Sequence, residues 1–325
     1  MYEAIIIGGG PAGLAATMYC ARKGMDVQMI TGQLGGKASL SLNLPDMSEY
    51  HVLKAREQVQ VFRGQVEYLS HLWRHGHVSQ IEEDADGFSV TVTAPSGTGR
   101  RAGDDATTHS DGEILRAERL IIATGTTPRL LGVPGEREFM GKGLGSSAIS
   151  YSHLLRERRV AVIGDSDRAI EAAVECAMQA DQVTLVLEPH AEYSHGHLQL
   201  VERQDTIEVL NGYRAVRFDG DGFARRMDIC RGDADCAEDR PHRQIEADAF
   251  FIEREPVANS GMVEHLVHRT TRGAIQIDAT NVTSNPRIFA AGDVTTVGVE
   301  QILVALGEGA RAALSAYRQL TLQQL

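Results

Sequence analysis

Ile5-Ile6-Ile7 runs directly into Gly8-Gly9-Gly10-Pro11-Ala12-Gly13, and this junction restricts the fold more than any other feature of the chain. The short apolar strand leads into Gly8-x-Gly10-x-x-Gly13, which opens a helix. In that context each glycine has a separate reason. The first permits a tight turn, the second lets backbone approach a pyrophosphate, and the third lets helix and strand pack closely, with the anion at the helix N-terminus.

The rest of the pattern extends this start. Residues 2–7 read as a strand, Pro11 to Lys23 as a helix closed by Gly24, and Val27 to Ile30 as the next strand. A helix is expected over 49–75, with strands near 79–81 and 88–93. The segment 94–112, rich in Gly, Ser, Thr and Asp without periodicity, reads as a surface loop. Leu120 to Thr124 is a buried strand. A second strand–helix–strand unit then starts: Val160–Gly164, Arg168–Ala180 and Val183–Leu187. Strands follow near 213–218, 223–229, 244–251 and 288–291, and a helix from Glu300 to Leu320 closes the chain. Two such starts in one chain predict an α/β protein with two Rossmann-like dinucleotide-binding domains, the second inserted in the first. The expected boundaries are 1–128, 129–254 and 255–325, with crossings near Pro128 and Glu255.

Composition removes several alternatives. A net charge of −12 opposes sequence-independent nucleic-acid binding. It also disfavours docking of an acidic protein, unless Arg156, Arg158 and Arg159 form a local basic patch rather than a solvated turn. No apolar run approaches the roughly 18 residues of a membrane helix. No signal peptide precedes the first strand, so a cytoplasmic location is expected. Four cysteines are few for a disulfide-stapled secreted protein. Cys20 and Cys176 fall in expected helices and read as small buried residues.

Two further motifs point to the cofactor. Ala123-Thr124-Gly125 ends a buried strand, and Ala290-Ala291-Gly292-Asp293 lies near the C-terminus, where Asp293 would accept hydrogen bonds from the ribityl or phosphate region of a flavin. With Gly8–Gly13 these argue for FAD. Gly8–Gly13, Ile30-Thr31-Gly32, Gly35-Gly36, Asn43-Leu44-Pro45, Ile122–Gly125, Val160–Gly164 and Phe289–Asp293 together resemble the low-molecular-weight thioredoxin reductase family. The resemblance implies a thioredoxin reductase-like homodimer of two-domain subunits, each passing electrons from NADPH through FAD to a Cys-x-x-Cys pair. It also implies a flavin site drawn from Gly8, Gly10, Pro11, Ala12, Gly13, Thr31, Gly35, Gly36, Lys37, Asn43, Ala123, Thr124, Gly125, Gly292, Asp293, Glu300, Gln301 and Ile302.

The departures from that family are informative. Ser147-Ala148-Ile149-Ser150 stands where the resemblance places the redox cysteines, and serine cannot carry dithiol–disulfide exchange. Gly164-Asp165-Ser166-Asp167-Arg168-Ala169 keeps only the first glycine of the second dinucleotide motif, and its two aspartates oppose a phosphate. Glu188-Pro189-His190-Ala191-Glu192 replaces a basic cluster that would grip the 2′-phosphate of NADPH. Near the flavin ring, Glu300-Gln301-Ile302 stands for Arg-Gln-Ala, so Glu300 makes the region more negative while Lys37, in place of glutamine, restores positive charge.

Cys230 and Cys236 flank a polar stretch and could close a small loop through the flexibility of Gly232. Read functionally, they are a relocated redox disulfide exposed on a loop between two strands. A static staple or two unpaired thiols are the plainer readings. A metal site with His242 lacks a fourth ligand, so no metal is expected. Tyr151, His153 and Tyr193 either line the vacated nucleotide pocket or pack its walls. These losses resemble a cyanobacterial branch of the family, the diflavin-linked disulfide oxidoreductases, which implies room for a second FAD. The leading expectation is an NADPH-independent FAD disulfide oxidoreductase with Cys230 and Cys236 as catalytic residues and a thiol or disulfide substrate, including a redox protein. The alternatives are a non-catalytic flavin-binding regulator and a ferredoxin/NADP reductase of thioredoxin reductase type.

Overall fold

A computed structural model describes residues 1–39, 42–45, 55–94, 112–232 and 243–323. The expected helical residues 49–54, nearly all of the 94–112 loop, Cys236 and His242 lie outside them. In chain order the elements are β1 (Tyr2–Ile7), α1 (Pro11–Arg22), β2 (Val27–Thr31), α2 (Ala55–Tyr68), β3 (Trp73–His75), β4 (His77–Glu83), β5 (Phe88–Thr93), β6 (Glu113–Ile122) and β7 (Thr126–Thr127). Next come α3 (Glu136–Phe139), β8 (Leu144–Gly145), β9 (Arg159–Ser166), α4 (Asp167–Ala177), β10 (Gln182–Glu192) and α5 (His195–Glu202). The remainder are β11 (Ile207–Asn211), β12 (Tyr213–Gly220), β13 (Ala224–Arg231), β14 (Arg243–Glu246), β15 (Ala249–Ile252), β16 (Val257–Ala258), β17 (Ile288–Ala290) and α6 (Ile302–Gln323). The chain divides into two compact units: Met1–Ser39 with His51–Thr127 and Val257–Leu325, and Leu40–Tyr50 with Pro128–Pro256.

The first unit is built on a sheet in the order β3-β2-β1-β6-β5-β4. β6 pairs with β1 along one edge and is long enough to serve two partners along the other: its first half pairs antiparallel with β5, and its second half parallel with β17. β1 shows why the sheet is buried on both faces. Ala4 and Ile6 point into one core, with Leu14 and Ala16 of α1 and Ala312 and Ala313 of α6. Ile5 and Ile7 point into the other, with Val263, Val267 and Ile275. Each fully buried isoleucine contributes about 1.5–3 kcal/mol. Small residues let α1 and α6 approach closely; a Cβ on Gly309 would lie 2.0 Å from the Ala12 carbonyl oxygen.

The second unit carries a parallel sheet, β11-β10-β9-β15-β8, and an antiparallel meander, β12-β13-β14. Val160 and Val162 of β9 face α4. Ala161 and Ile163 face Met227, Ile229 and Ile245 of the meander. Both units therefore repeat one plan, an apolar strand leading into a turn and a helix.

The structure corrects three readings of detail. The helix expected to reach residue 75 ends at Tyr68, and Trp73–His75 pairs with β2. The strand expected over 244–251 is two strands in different sheets, β14 on β13 and β15 on β9. Cys230 is not on an exposed loop: β13 continues to Arg231, so Cys230 pairs with Arg214 and is 0% exposed.

Candidate functional site

The glycine turn of the first unit separates packing from binding. Gly8 has φ +111, and a Cβ there would meet the Ala123 carbonyl oxygen at 2.3 Å. A Cβ on Gly13 would lie 1.8 Å from the Gly8 carbonyl oxygen. These two glycines are dictated by the fold. Gly10 is not: its φ is −71, and a Cβ would meet no protein atom within 4 Å. It sits at the N-cap of α1 without a side-chain cap, followed by Pro11. The open space lies over the free N–H groups of a helix N-terminus, the donor set that suits a pyrophosphate. The cradle fits FAD.

The strand after α1 brings in the next group. Thr31 closes a turn, its Oγ1 donating to the Gln33 carbonyl at 2.9 Å, and Gly35 N–H donates to the Gly9 carbonyl at 2.8 Å. Gly36, at φ +54, lies against Gly10, so the loop passes beside the glycine turn and delivers Lys37. Lys37 Nζ lies 2.8 Å from Asp293 Oδ2 and 2.7 Å from Glu300 Oε1, and donates to Thr126 Oγ1 at 2.6 Å. Thr126 in turn donates to Glu300 Oε1 at 3.0 Å. One cation thus serves two carboxylates, leaving the trio with one net negative charge.

Thr124 and Gly125 are fixed by a residue that the sequence did not single out. Asn259 Nδ2 donates to the Thr124 carbonyl, its N–H to the Gly125 carbonyl, and its carbonyl accepts from Thr124 Oγ1 at 2.6 Å. Ala123 is buried, and Ala12 lies under Gly292. Gln301 precedes α6, and Ile302 is its first residue. Asn43 belongs to the second unit, where its amide donates to the Gly141 carbonyl and its backbone bridges to Lys142. Thr126, Asn259 and Glu308 were all missed from sequence. Only Glu308 left a signal there, an acidic residue between Gly307 and Gly309 on the closing helix.

The corresponding turn of the second unit is arranged differently. Gly164 keeps its packing role, since a Cβ would lie 2.2 Å from the Glu253 carbonyl oxygen. Where the first unit has Gly10, the N-cap of α4 is Ser166, which is buried. β10 runs beyond Leu187, and the two strands pair again at Glu192 and Ser166. Ser194 N–H donates to Asp167 Oδ1 at 2.7 Å, and His197 joins Asp167 and Glu171. The first turn of α4 is therefore engaged by the segment that follows β10.

The acidic residues here are paired. Asp165 meets Arg129 at 2.9 Å. Glu188, 7% exposed, accepts two bonds from Arg254, from Nε at 2.6 Å and Nη2 at 2.5 Å. These bonds hold the arginine's proton more tightly than usual, against the opposing effect of burial. Ser147 and Ser150 share a hydrogen bond of 2.8 Å, with Ser147 at φ +72. Ala148 N–H donates to Glu253, which also accepts from Arg168.

Cys230 is disulfide-bonded, whereas Cys20 and Cys176 are free and buried. Two residues beyond Cys230, Gly232 abuts Pro189, with only 2.2 Å between its virtual Cβ and Pro189 Cγ. The end of β13 therefore reaches the chain immediately after Glu188. Tyr151 and Tyr193 pack against the apolar core of this unit, their hydroxyls accepting from Leu42 N–H and Asn211 Nδ2. Arg158 and Arg159 are committed to the Pro45 carbonyl and to Asp248 and Glu246. Among the described residues no His, Cys, Asp and Glu cluster could hold a metal ion, and no helix is long and apolar enough to cross a membrane.

Residues 2–309 match the model of the pyridine nucleotide-disulphide oxidoreductase family. The chain is 30% identical over 321 residues to alkyl hydroperoxide reductase F of Pseudomonas aeruginosa, and 30% over 325 residues to that of Escherichia coli. In both cases 98% of this chain is matched, but it spans only 58% of the relative's length. Thioredoxin reductase from Streptococcus pyogenes superposes with a TM-score of 0.82 at 26% identity, covering 99% of this chain and 98% of that one. Thioredoxin reductase from Giardia duodenalis shares the fold, with a TM-score of 0.82 at 24% identity over 98% and 99% of the two chains.

Proposed function

The chain belongs to the pyridine nucleotide-disulphide oxidoreductase family, and on that basis we propose that it is an FAD enzyme that exchanges electrons with a thiol/disulfide couple and does not draw them from NADPH. The observation that carries this reading is the contrast between its two cradles. Gly10 leaves open space over the N-terminus of α1, whereas Ser166 is buried and paired with Glu192 at the N-terminus of α4.

In the first unit, the α1 N-terminus would hold the FAD pyrophosphate and Asp293 would accept hydrogen bonds from the ribityl or phosphate region, while Lys37 balances the charge of Asp293 and Glu300. FAD bound there supplies a two-electron carrier. In the second unit, Glu188 and Asp165 repel a 2′-phosphate and already occupy Arg254 and Arg129. The redox couple is Cys230–Cys236. A substrate dithiol gives up two electrons and two protons, its S–S bond forming as the protein's S–S bond breaks to two thiols. The partner is a thiol or disulfide substrate, including a redox protein, the latter in keeping with the name of the thioredoxin reductase that superposes on this chain.

A second FAD in the inserted domain is the other reading. It is favoured by Glu188, which directly follows the Leu187–Gly164 pairing of β10 with β9, where an acidic residue suits an unphosphorylated ribose. Flavin released from purified protein decides between them: a ratio near one per chain supports a single cradle, and a ratio near two places a second FAD in the inserted domain. The Cys230→Ser and Cys236→Ser variants test the couple. Both lose dithiol-dependent flavin reduction if the reading holds, and undiminished reduction in both overturns it.

A further inference from the structure

Glu308 is a buried carboxylate that the proposed electron exchange does not use. It lies on α6, is 3% exposed, and accepts the Gly292 N–H at 2.7 Å. A carboxylate is costly to bury on a helix whose Ala305 and Ala312 belong to the apolar core, so its presence there calls for a role. Burial pushes its carboxyl above the usual range, while the Gly292 N–H and the neighbouring Arg311 pull it back.

The bond closes a small framework around the Gly292-Asp293 turn. Thr295 Oγ1 donates to the Gly292 carbonyl at 2.8 Å. Arg311, one turn beyond Glu308, lies 3.5 Å from it and donates to Asn281. Asn281 exchanges two hydrogen bonds with Ala290, at 2.8 and 3.1 Å. Glu308 and Arg311 thus tie the last helix to both ends of Ala290–Gly292. Gly292 itself, at φ +78, has Ala12 of α1 directly beneath it, so the turn has little freedom to move towards that helix. On its far side Asp293 is held through Oδ2 by Lys37.

We propose that Glu308 is a positioning residue for the flavin: by fixing Gly292 N–H it sets where Asp293 presents its remaining carboxylate oxygen to FAD. The proposal rests on FAD occupying the first cradle. A residue that only stabilised the fold would affect the protein equally with and without flavin. A positioning residue changes the affinity for FAD itself.

The test compares Glu308→Gln, which keeps a carbonyl acceptor for Gly292, with Glu308→Leu, which has a similar volume and no acceptor. FAD release from the holoprotein on dilution is followed by flavin fluorescence. Glu308→Leu should weaken FAD binding about tenfold or more, the scale of one hydrogen bond to a charged group, and Glu308→Gln should restore most of it. Unchanged affinity in Glu308→Leu overturns the proposal, as does a loss in Glu308→Gln equal to that in Glu308→Leu. If Glu308→Leu does not fold, Thr295→Val loosens the same turn and should weaken FAD severalfold; no change overturns the proposal. Wild-type protein purified without flavin and unable to take up FAD would instead defeat the underlying FAD reading.

Discussion

Lys37 Nζ lies 2.7 Å from Glu300 Oε1, joining the loop after β2 to the residues just before α6 across most of the sequence. The same nitrogen also holds Asp293 at 2.8 Å. The charge of Asp293, which is proposed to face the flavin, is therefore partly balanced, and the charge of the cradle depends on residues that are far apart in the chain.

Substitutions within this trio should act in opposite directions. Lys37→Met leaves two adjacent carboxylates beside an anionic ligand and should weaken FAD binding by roughly tenfold. Glu300→Gln leaves a neutral Lys37–Asp293 pair and should tighten it by a few-fold at most, because Lys37 is 36% exposed and water screens the interaction. Equilibrium titration with FAD at low and high salt measures both effects, and salt should narrow the gap between them.

Arg254→Met would strand Glu188 in a site that excludes most water. Breaking one partner of such a pair costs about 3–5 kcal/mol, whereas replacing both with apolar groups of similar volume is often near neutral. The melting temperature should therefore fall in Arg254→Met and recover substantially in the Glu188→Leu/Arg254→Met double variant. Calorimetry on the three proteins would test this.

Ser147 and Ser150 already bring their Oγ atoms within 2.8 Å. The Ser147→Cys/Ser150→Cys variant should close a disulfide under mild oxidation, seen as the loss of two hydrogens in the intact mass and of two titratable thiols. A variant that keeps both thiols free would show that the local backbone does not suit the bond.

Burial pushes the thiols of Cys20 and Cys176 up to about 12, from an ordinary value of 9.0. The native protein should therefore resist thiol reagents at pH 8, and both groups should react after denaturation. The pH dependence follows from the same shift. Above pH 9 the unfolded chain loses thiol protons that the folded protein still holds, so stability falls as pH rises towards 12. The slope is on the order of 1.4 kcal/mol per pH unit for each thiol. Denaturant unfolding between pH 8 and 11 measures the decline, and Cys20→Ala should reduce it.

The fold was legible because its signals are local. Ile5–Ile7 followed by three spaced glycines, and Val160–Gly164 further on, each carry a strand, a turn and a helix start within a few residues. The departures of the second turn from the first were also partly legible, since Ser166 and Glu188 stand in sequence beside the motifs they alter. What stayed hidden depends on tertiary pairing. The Glu192–Ser166 bridge, the Glu188–Arg254 pair and the Asn259 contacts to Thr124 join segments that no local pattern relates. The placement of Cys230 was misread for a similar reason. The polar residues after it suggested a loop, but pairing with Arg214 carries the strand through it.

Anaerobic reduction of the bound flavin tests the account most directly, with its visible absorbance followed after mixing with NADPH or with a dithiol. The reading requires bleaching by the dithiol, lost in Cys230→Ser, and no comparable bleaching by NADPH. Rapid and complete bleaching by NADPH would contradict it, because the second cradle would then accept the nucleotide that it is proposed not to use.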